Sequence, residues 1–230
     1  IRPTLARQIA FNTAIAKEGL ENSWGANIGS TLLARRGDCV QNRAMAWAAA
    51  GSDARMSGCE LPVVINSGSG NQGITCSLPV IVYAEDMKVS EDELYRALIV
   101  SNLIGAHIKT GIGALSAYCG AVSAGCAAAC GIAYLKGGRF DAISHTLVNS
   151  IAIISGTICD GAKPSCAAKI ASAVDAGLLG YEMYLSGEQF SDGEGIVLKG
   201  VENTIHNVAR LGADGMLATD EVIIDIMTGC

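Results

Sequence analysis

Apolar residues recur at approximately helical spacing along most of this chain. In residues 3–18 they include Leu5, Ile9 and Ile15, and Gly19 then suits the helix end. The same pattern predicts helices over residues 23–36, 38–54, 90–113, 114–136, 139–157, 166–186, 196–212 and 219–228. Short connections between them predict an all-α or nearly all-α fold, a multi-helix globular domain with buried apolar helices rich in glycine and alanine.

Several of these helices carry start or stop signals. Ser90 followed by Glu93 predicts a capping box at the start of the longest apolar helix. Asp38 and Ser165 can cap the helices that follow them. Gly137-Gly138 suits the stop between two other apolar helices.

The segment 59–86 allows two interpretations. Its β-branched runs, Val63–Ile65 and Val80–Tyr83, are consistent with short strands. Alternatively, Ser77 caps a helix that has Pro79 in its first turn, a position that proline tolerates. We favour the helix.

A glycine-rich loop, SGSGNQG, occupies residues 67–73 of that segment. It has the backbone freedom of glycine, and it offers hydroxyl, amide and backbone N–H groups that can hold a carboxylate or a phosphate. It is not a Walker sequence, because no Gly-Lys-Ser/Thr follows. The pattern alone fits a plain turn equally well.

Composition limits the classes of function. Half of the 230 residues are hydrophobic, 17% are charged, and the net charge of −6 leaves no basic stripe, so we expect no nucleic-acid partner. The uncharged run 113–135 is long enough to span a bilayer, but it consists mostly of Gly, Ala, Ser and Cys. We therefore favour a buried helix and no membrane association, with a membrane span as the alternative.

Nine cysteines with no secretory segment favour reduced thiols and a cytoplasmic protein over a disulfide framework. Cys119, Cys126 and Cys130 fall on one face of a predicted helix, where packing explains Cys126 and Cys130. Cys159 and Cys166 differ because they bracket a turn, and two such thiols can reach one metal centre. Spacing alone leaves metal binding and packing equally open.

His107 and Lys109 end the otherwise apolar helix 90–113. Polar groups at the end of a buried helix are candidates for chemistry. A hydrogen-bonded core histidine and a lysine that reaches solvent remain the alternatives.

Three segments together resemble the family of iron–sulfur-dependent L-serine dehydratase α chains and L-cysteine desulfidases. They are SGSGNQGITCSLPVIVYAE, SNLIGAHIKTGIGALSAYCGAVSAGCAAACGIAYLKGG and ICDGAKPSCAAKIASAV. The resemblance runs from about Cys59 to the C-terminus. It implies a [4Fe–4S] cluster held by Cys119, Cys159 and Cys166, and a lyase that needs no pyridoxal phosphate.

The resemblance also indicates a branch of that family. Serine dehydratases carry a Thr-Asn-Gly-Ala-Ala-Gly loop where this chain has Ser69-Gly70-Asn71-Gln72-Gly73, and they have a longer insert where it has DGAKPS. Both departures resemble the desulfidase-like branch. The implied reaction removes sulfide from L-cysteine, or water from L-serine, to give pyruvate and ammonia.

This resemblance assigns roles to polar residues of the chain. We expect the substrate's carboxylate to lie on the loop of residues Ser67, Gly68, Ser69, Gly70, Asn71 and Gln72. The candidate catalytic groups, for charge or proton transfer, are His107, Lys109 and Asp160. Cys230 either turns back towards the cluster, as in some relatives, or is a frayed terminus.

We expect residues 1–230 to form a single helical catalytic domain. Because the chain begins with Ile1, we expect it to be the C-terminal part of a longer protein. Its expected partners are a small amino-acid substrate, an N-terminal domain or partner subunit, and further copies in a homo-oligomer. The alternative is a non-catalytic iron–sulfur or small-molecule-binding domain that lacks its catalytic half.

Overall fold

The computed structural model describes residues 1–113 and 115–229, and Cys230, for which we predicted two alternatives, lies outside the described residues. Over the described part the chain forms ten α-helices and one π-helical turn, with no strand or sheet, so the all-α prediction is confirmed. The helices are α1 (Arg2–Glu21), α2 (Ile28–Arg36), α3 (Val40–Met56), α4 (Gly70–Met87), α5 (Glu91–Ile112), α6 (Gly120–Leu135), α7 (Phe140–Ile154), α8 (Ser165–Leu185), α9 (Val201–Arg210) and α10 (Leu217–Thr228), with the π-turn at Leu211–Gly215.

Helix α6 is the centre of the fold. Every residue from Ala121 to Ala133 is buried, and the helix contacts α4, α5, α7 and α8. Small residues allow this crowding: a Cβ on Gly125 would lie 2.6 Å from the backbone of Ala173, and one on Gly177 would lie 2.8 Å from the Gly125 carbonyl oxygen. The glycine- and alanine-rich sequence thus lets α6 and α8 approach closely.

Helix α5 begins as the sequence predicts. The Ser90 hydroxyl accepts the Glu93 backbone N–H at 3.3 Å, and the Glu93 carboxylate accepts the Ser90 N–H at 2.9 Å. This capping box satisfies two N–H groups that the first helical turn leaves free. At its other end α5 carries Lys109 and stops at Gly113, whose φ of 94° favours glycine.

Helix α4 was predicted to begin near Ser77 but begins at Gly70. Ser69 is its N-cap, and the Ser69 hydroxyl accepts the Gln72 N–H at 3.4 Å. Ser77 and Pro79 therefore lie inside the helix, where the Ser77 hydroxyl donates to the Gly73 carbonyl oxygen at 2.8 Å. The run Val63–Ile65 forms no strand.

Asp38 was predicted to cap α3, but it does not occupy the N-cap position. Cys39 occupies the N-cap position, and the Asp38 carboxylate instead pairs with Arg43 at 2.9 Å. Helix α2 begins at Ile28 and not at residue 23 as predicted, because a carboxylate of α3 caps its first turn. The buried Asp53 carboxylate accepts the backbone N–H of Ile28 at 2.7 Å and that of Gly29 at 3.3 Å.

The uncharged run 113–135 is only partly helical. Residues 115–119 lie outside any helix, and α6 covers Gly120–Leu135. In the described part of the chain, none of the helices combines the length and the apolar character that crossing a membrane requires.

Candidate active site

A cavity of about 300 Å³ lies where the ends of several helices meet. It brings together the three predicted cluster cysteines, most of the glycine-rich loop and one predicted catalytic cation: Cys119, Cys159, Cys166, Gly68, Ser69, Asn71, Gln72 and Lys109. A larger cavity of about 440 Å³, beside α7, is lined by none of the predicted site residues. We therefore take the smaller cavity as the candidate site.

Cys119 and Cys159 are aligned by the backbone. An isolated antiparallel bridge joins Tyr118 to Ile158. The Cys119 N–H donates to the Thr157 carbonyl oxygen at 3.1 Å, and the Cys159 N–H donates to that of Ala117 at 2.6 Å. Two segments that are distant in the chain thereby place their thiols side by side.

The Cys119 thiol lies beside the Cys159 sulfur. Interaction with the Cys119 thiol lowers the pKa of Cys159 to about 6, and the charges of Lys169 and Lys109 act in the same direction. The same interaction, together with burial, raises the pKa of Cys119. Because the thiolate is the form that binds metal, Cys159 is prepared for ligation at neutral pH.

Cys166 lies in the first turn of α8, after the loop that follows Cys159. Its thiol donates to the Gly161 carbonyl oxygen at 3.7 Å, and its backbone N–H donates to that of Lys163 at 2.9 Å. The two thiols thus face the cavity from either end of one short loop.

Asp160 holds this loop closed. Its carboxylate pairs with Lys163 and Lys169, and hydrogen bonds from these two ammonium groups lower its pKa to about 2. Lys169 also donates to the Ile158 carbonyl oxygen at 2.8 Å. Asp160 is not among the side chains that line the cavity.

The glycine-rich loop forms a tight turn and then the start of α4. Ser67 and Gly68 both have positive φ, of 49° and 77°, and paired backbone hydrogen bonds between Asn66 and Ser69 close the turn. Gly68, Ser69, Asn71 and Gln72 line the cavity, whereas Ser67 donates its hydroxyl to Asn66 at 2.7 Å and Gly70 lies behind the wall.

The two polar residues at the end of α5 have different surroundings. Lys109 lines the cavity with only 7% of its surface exposed, and burial lowers its pKa. His107 is exposed, and its Nε2 lies 2.8 Å from a Glu202 carboxylate oxygen. The structure therefore places Lys109, and not His107, at the candidate site.

Arg55 was not predicted from the sequence, and it reaches the cavity from the last turn of α3. Its Nη1 donates to the Asn71 amide oxygen at 3.2 Å. The available signal was a charged side chain at the end of a helix whose preceding turns are rich in alanine.

Cys126 and Cys130 lie inside α6 and are fully buried, with the Cys130 thiol donating to the Ile143 carbonyl oxygen at 3.6 Å. The buried positions of these two cysteines agree with a packing role. Burial raises the pKa of each thiol, that of Cys126 to about 12, which disfavours the metal-binding thiolate.

The side chains that line the cavity fit the [4Fe–4S] cluster that the resemblance implies better than they fit a single metal ion. Within the described ranges, no three His, Cys, Asp or Glu side chains converge closely enough to hold a single metal ion. A [4Fe–4S] cluster makes a different demand, because each thiolate binds a different iron atom and cysteine is its usual ligand. Three cysteines on the walls of one cavity, one of them readily ionised, fit such a cluster.

Comparison with known proteins shows relatives that match almost the whole of this chain. Relatives include UPF0597 proteins of Desulfitobacterium hafniense, Lachnoclostridium phytofermentans and Treponema denticola, which are 62%, 57% and 48% identical over 99% of this chain. The chain covers 53–54% of each, so it spans about half the length of these curated relatives. No solved structure matches it significantly. The family model described as serine dehydratase alpha chain matches residues 1–225, and the chain belongs to that family.

Proposed function

We propose that this chain is the cluster-binding part of a [4Fe–4S]-dependent lyase that acts on L-cysteine or L-serine in the cytoplasm. The observation that carries the proposal is the meeting of Cys119, Cys159 and Cys166 with the start of α4 in one small cavity. Thiolates for a cluster and donors for a carboxylate thus lie within reach of one small amino acid.

Cys119, Cys159 and Cys166 would hold the cluster. When bound, a cluster with three protein ligands supplies a Lewis-acidic iron beside the leaving group of the substrate. The protein's own contribution is to keep three thiols on the cavity wall: the Tyr118–Ile158 bridge aligns two of them, and the loop closed by Asp160 positions the third.

The start of α4 would bind the substrate's carboxylate. Helix N-termini attract anions because their first N–H groups lack partners within the helix. The Ser69, Asn71 and Gln72 side chains add polar groups on the same wall. This placement orients the Cβ substituent of the substrate towards the cysteines.

Lys109 would balance the negative charge of the site. It lies close enough to Cys119 and Cys159 for its charge to act on both thiols. Of the three groups predicted for catalysis, Lys109 alone faces the cavity. In this scheme Asp160 is a positioning residue, and His107 has no contact with the substrate.

The proposed reaction is a β-elimination. A base removes the α-proton, the Cβ substituent leaves as sulfide or water, and the resulting aminoacrylate tautomerises and is hydrolysed to pyruvate and ammonia. We assign the base to the part of the protein that lies outside this chain, since the relatives are about twice as long. The desulfidase-like branch is favoured by the compact loop between Cys159 and Cys166.

The test uses the full-length protein prepared and reconstituted without oxygen. It should be brown, contain iron and inorganic sulfide, and release pyruvate from L-cysteine or L-serine, and the faster substrate identifies the branch. A protein that binds a cluster but releases no pyruvate from either would favour the non-catalytic binding domain. A protein that remains colourless and iron-free would exclude the cluster assignment.

A further inference from the structure

Arg55 is held against the start of α4. Its guanidinium lies against Gly70, where a Cβ atom would clash with Nε and would lie 2.8 Å from Cζ. On the other side, Nη1 donates to the Asn71 amide oxygen at 3.2 Å. Only glycine at position 70 leaves room for this approach, so the guanidinium is fixed beside the first turn of α4.

Arg55 and Lys109 are two cations that line the same cavity and form no ion pair with a carboxylate of the described residues. In residues 1–113 and 115–229, ion pairs with a carboxylate form at Arg2, Arg43, His107, Lys163 and Lys169, but none forms at Arg55 or Lys109. Lys109 is more than nine-tenths buried and faces the same cavity. Two cations without a described carboxylate partner on one cavity wall indicate a site suited to an anionic ligand.

The two cations have different neighbours. The charge of Lys109 acts on Cys159 and Cys119, so Lys109 serves the thiol side of the cavity. Arg55 lies beside the first turn of α4. In that turn the backbone N–H groups of Gln72 and Gly73 donate hydrogen bonds to Ser69. Within the described residues, the N–H groups of Gly70 and Asn71 are left to bind a ligand.

We propose that Arg55 binds the substrate's α-carboxylate together with the first turn of α4, and thereby restricts the site to ligands with a free carboxylate. A guanidinium offers a planar pair of N–H donors that matches the two oxygens of a carboxylate. The inference rests on the proposed function and deepens it: free amino acids are bound tightly, whereas amides and decarboxylated analogues are bound more weakly.

The test compares two ligands that differ only in the carboxylate, on the full-length, anaerobically prepared protein. Binding of L-cysteine and of cysteamine is measured by calorimetry for the wild type, Arg55→Gln, Arg55→Lys and the surface control Arg36→Gln. A hydrogen bond between charged groups contributes about 1.5–3 kcal/mol, so Arg55→Gln should weaken L-cysteine binding by about 10- to 100-fold. Cysteamine binding should not change, and Arg55→Lys should restore part of the loss.

Other outcomes overturn the inference. An equal loss for both ligands would show that Arg55 only supports the shape of α4, and unchanged L-cysteine binding in Arg55→Gln would show that it has no role. A wild type that binds both ligands equally, or neither, would contradict it as well. Circular dichroism confirms that each variant remains folded.

The failure of the inference is distinguishable from failure of the proposed function. Pyruvate release by the wild type, with L-cysteine binding insensitive to Arg55→Gln, would retain the lyase and reject the carboxylate role. L-cysteine binding that depends on Arg55, without any pyruvate release, would retain the carboxylate site and reject the lyase.

Discussion

The thiol of Cys119 lies beside the sulfur of Cys159, although the whole of α6 and α7 separates the two residues in the sequence. The backbone bridge between Tyr118 and Ile158 produces this contact. The convergence of the thiols is therefore a property of the fold itself.

The first prediction concerns the division of the cysteines. Cys159→Ala or Cys166→Ala should abolish cluster binding, because each removes a thiol from the cavity wall. Cys130→Ala is the matched control, since that thiol is buried within α6. Iron and inorganic sulfide are measured after anaerobic reconstitution, and loss of the cluster in Cys130→Ala with retention in Cys166→Ala would show that the ligands were chosen wrongly.

The second prediction concerns the close approach between α4 and the segment before it. In Gly73→Ala the new Cβ would clash with the Val64 carbonyl oxygen and lie 2.9 Å from the Ile65 backbone. Backbone atoms cannot move aside as a side chain can, so we expect a loss of about 1–3 kcal/mol in the free energy of unfolding. Denaturant titration measures it.

Gly215→Ala is the control for that experiment, because its Cβ would lie 3.3 Å from the flexible Leu211 side chain and no nearer than 3.9 Å to the Arg210 carbonyl oxygen. Its effect should be clearly smaller. Equal effects of the two substitutions would mean that the approach at Gly73 is not limiting.

The third prediction concerns Gly120, which follows Cys119. A Cβ there would lie 2.5 Å from the amide nitrogen of Gln72, a flexible side chain on the cavity wall. Gly120→Ala should therefore displace Gln72 and weaken L-cysteine binding, while it reduces stability less than Gly73→Ala does. Calorimetry and denaturant titration of the same sample check both effects, and unchanged binding would argue against a role for Gln72.

The fourth prediction concerns pH and the capping box of α5. Hydrogen bonds from the Ser90 hydroxyl and backbone N–H lower the pKa of Glu93 below its ordinary value of 4.5. A carboxylate with a lowered folded pKa stabilises the fold above its unfolded pKa, and this contribution is lost as the pH falls through the folded value.

Glu93→Gln provides the comparison because it cannot ionise. The wild type should be more stable than Glu93→Gln at pH 7, and this advantage should shrink as the pH falls from about 5 to below 4. Thermal unfolding across that range measures the difference. An advantage that is constant with pH would show that the carboxylate charge is not involved.

The helical fold could be predicted because its signals are local. The Ser90 and Glu93 pair marks the start of α5, and the apolar periodicity marks the interior of most helices. The start of α4 was harder, because Ser69 and Ser77 are both plausible caps and Pro79 is usually a first-turn residue. The turn between Asn66 and Ser69, which sequence spacing does not reveal, decided the choice.

The candidate site could be predicted only where residues lie close in the sequence. The loop from Cys159 to Cys166 and the glycine-rich loop 67–73 were recognisable. Cys119 was placed on the α6 helix by its spacing from Cys126, yet it precedes the helix, because the bridge to Ile158 keeps its segment extended. Arg55 was missed since its role depends on a contact with Gly70 that only the folded chain creates.

The bridge between Tyr118 and Ile158 has a consequence for the order of assembly. It joins segments separated by the whole of α6 and α7, and such non-local contacts form late, because the intervening chain must first be ordered. The thiols of Cys119 and Cys159 therefore meet only in a chain whose central helices have already packed. Under the proposed function, loading with iron and sulfide would therefore follow folding, because a partly folded chain would not present all three thiols together.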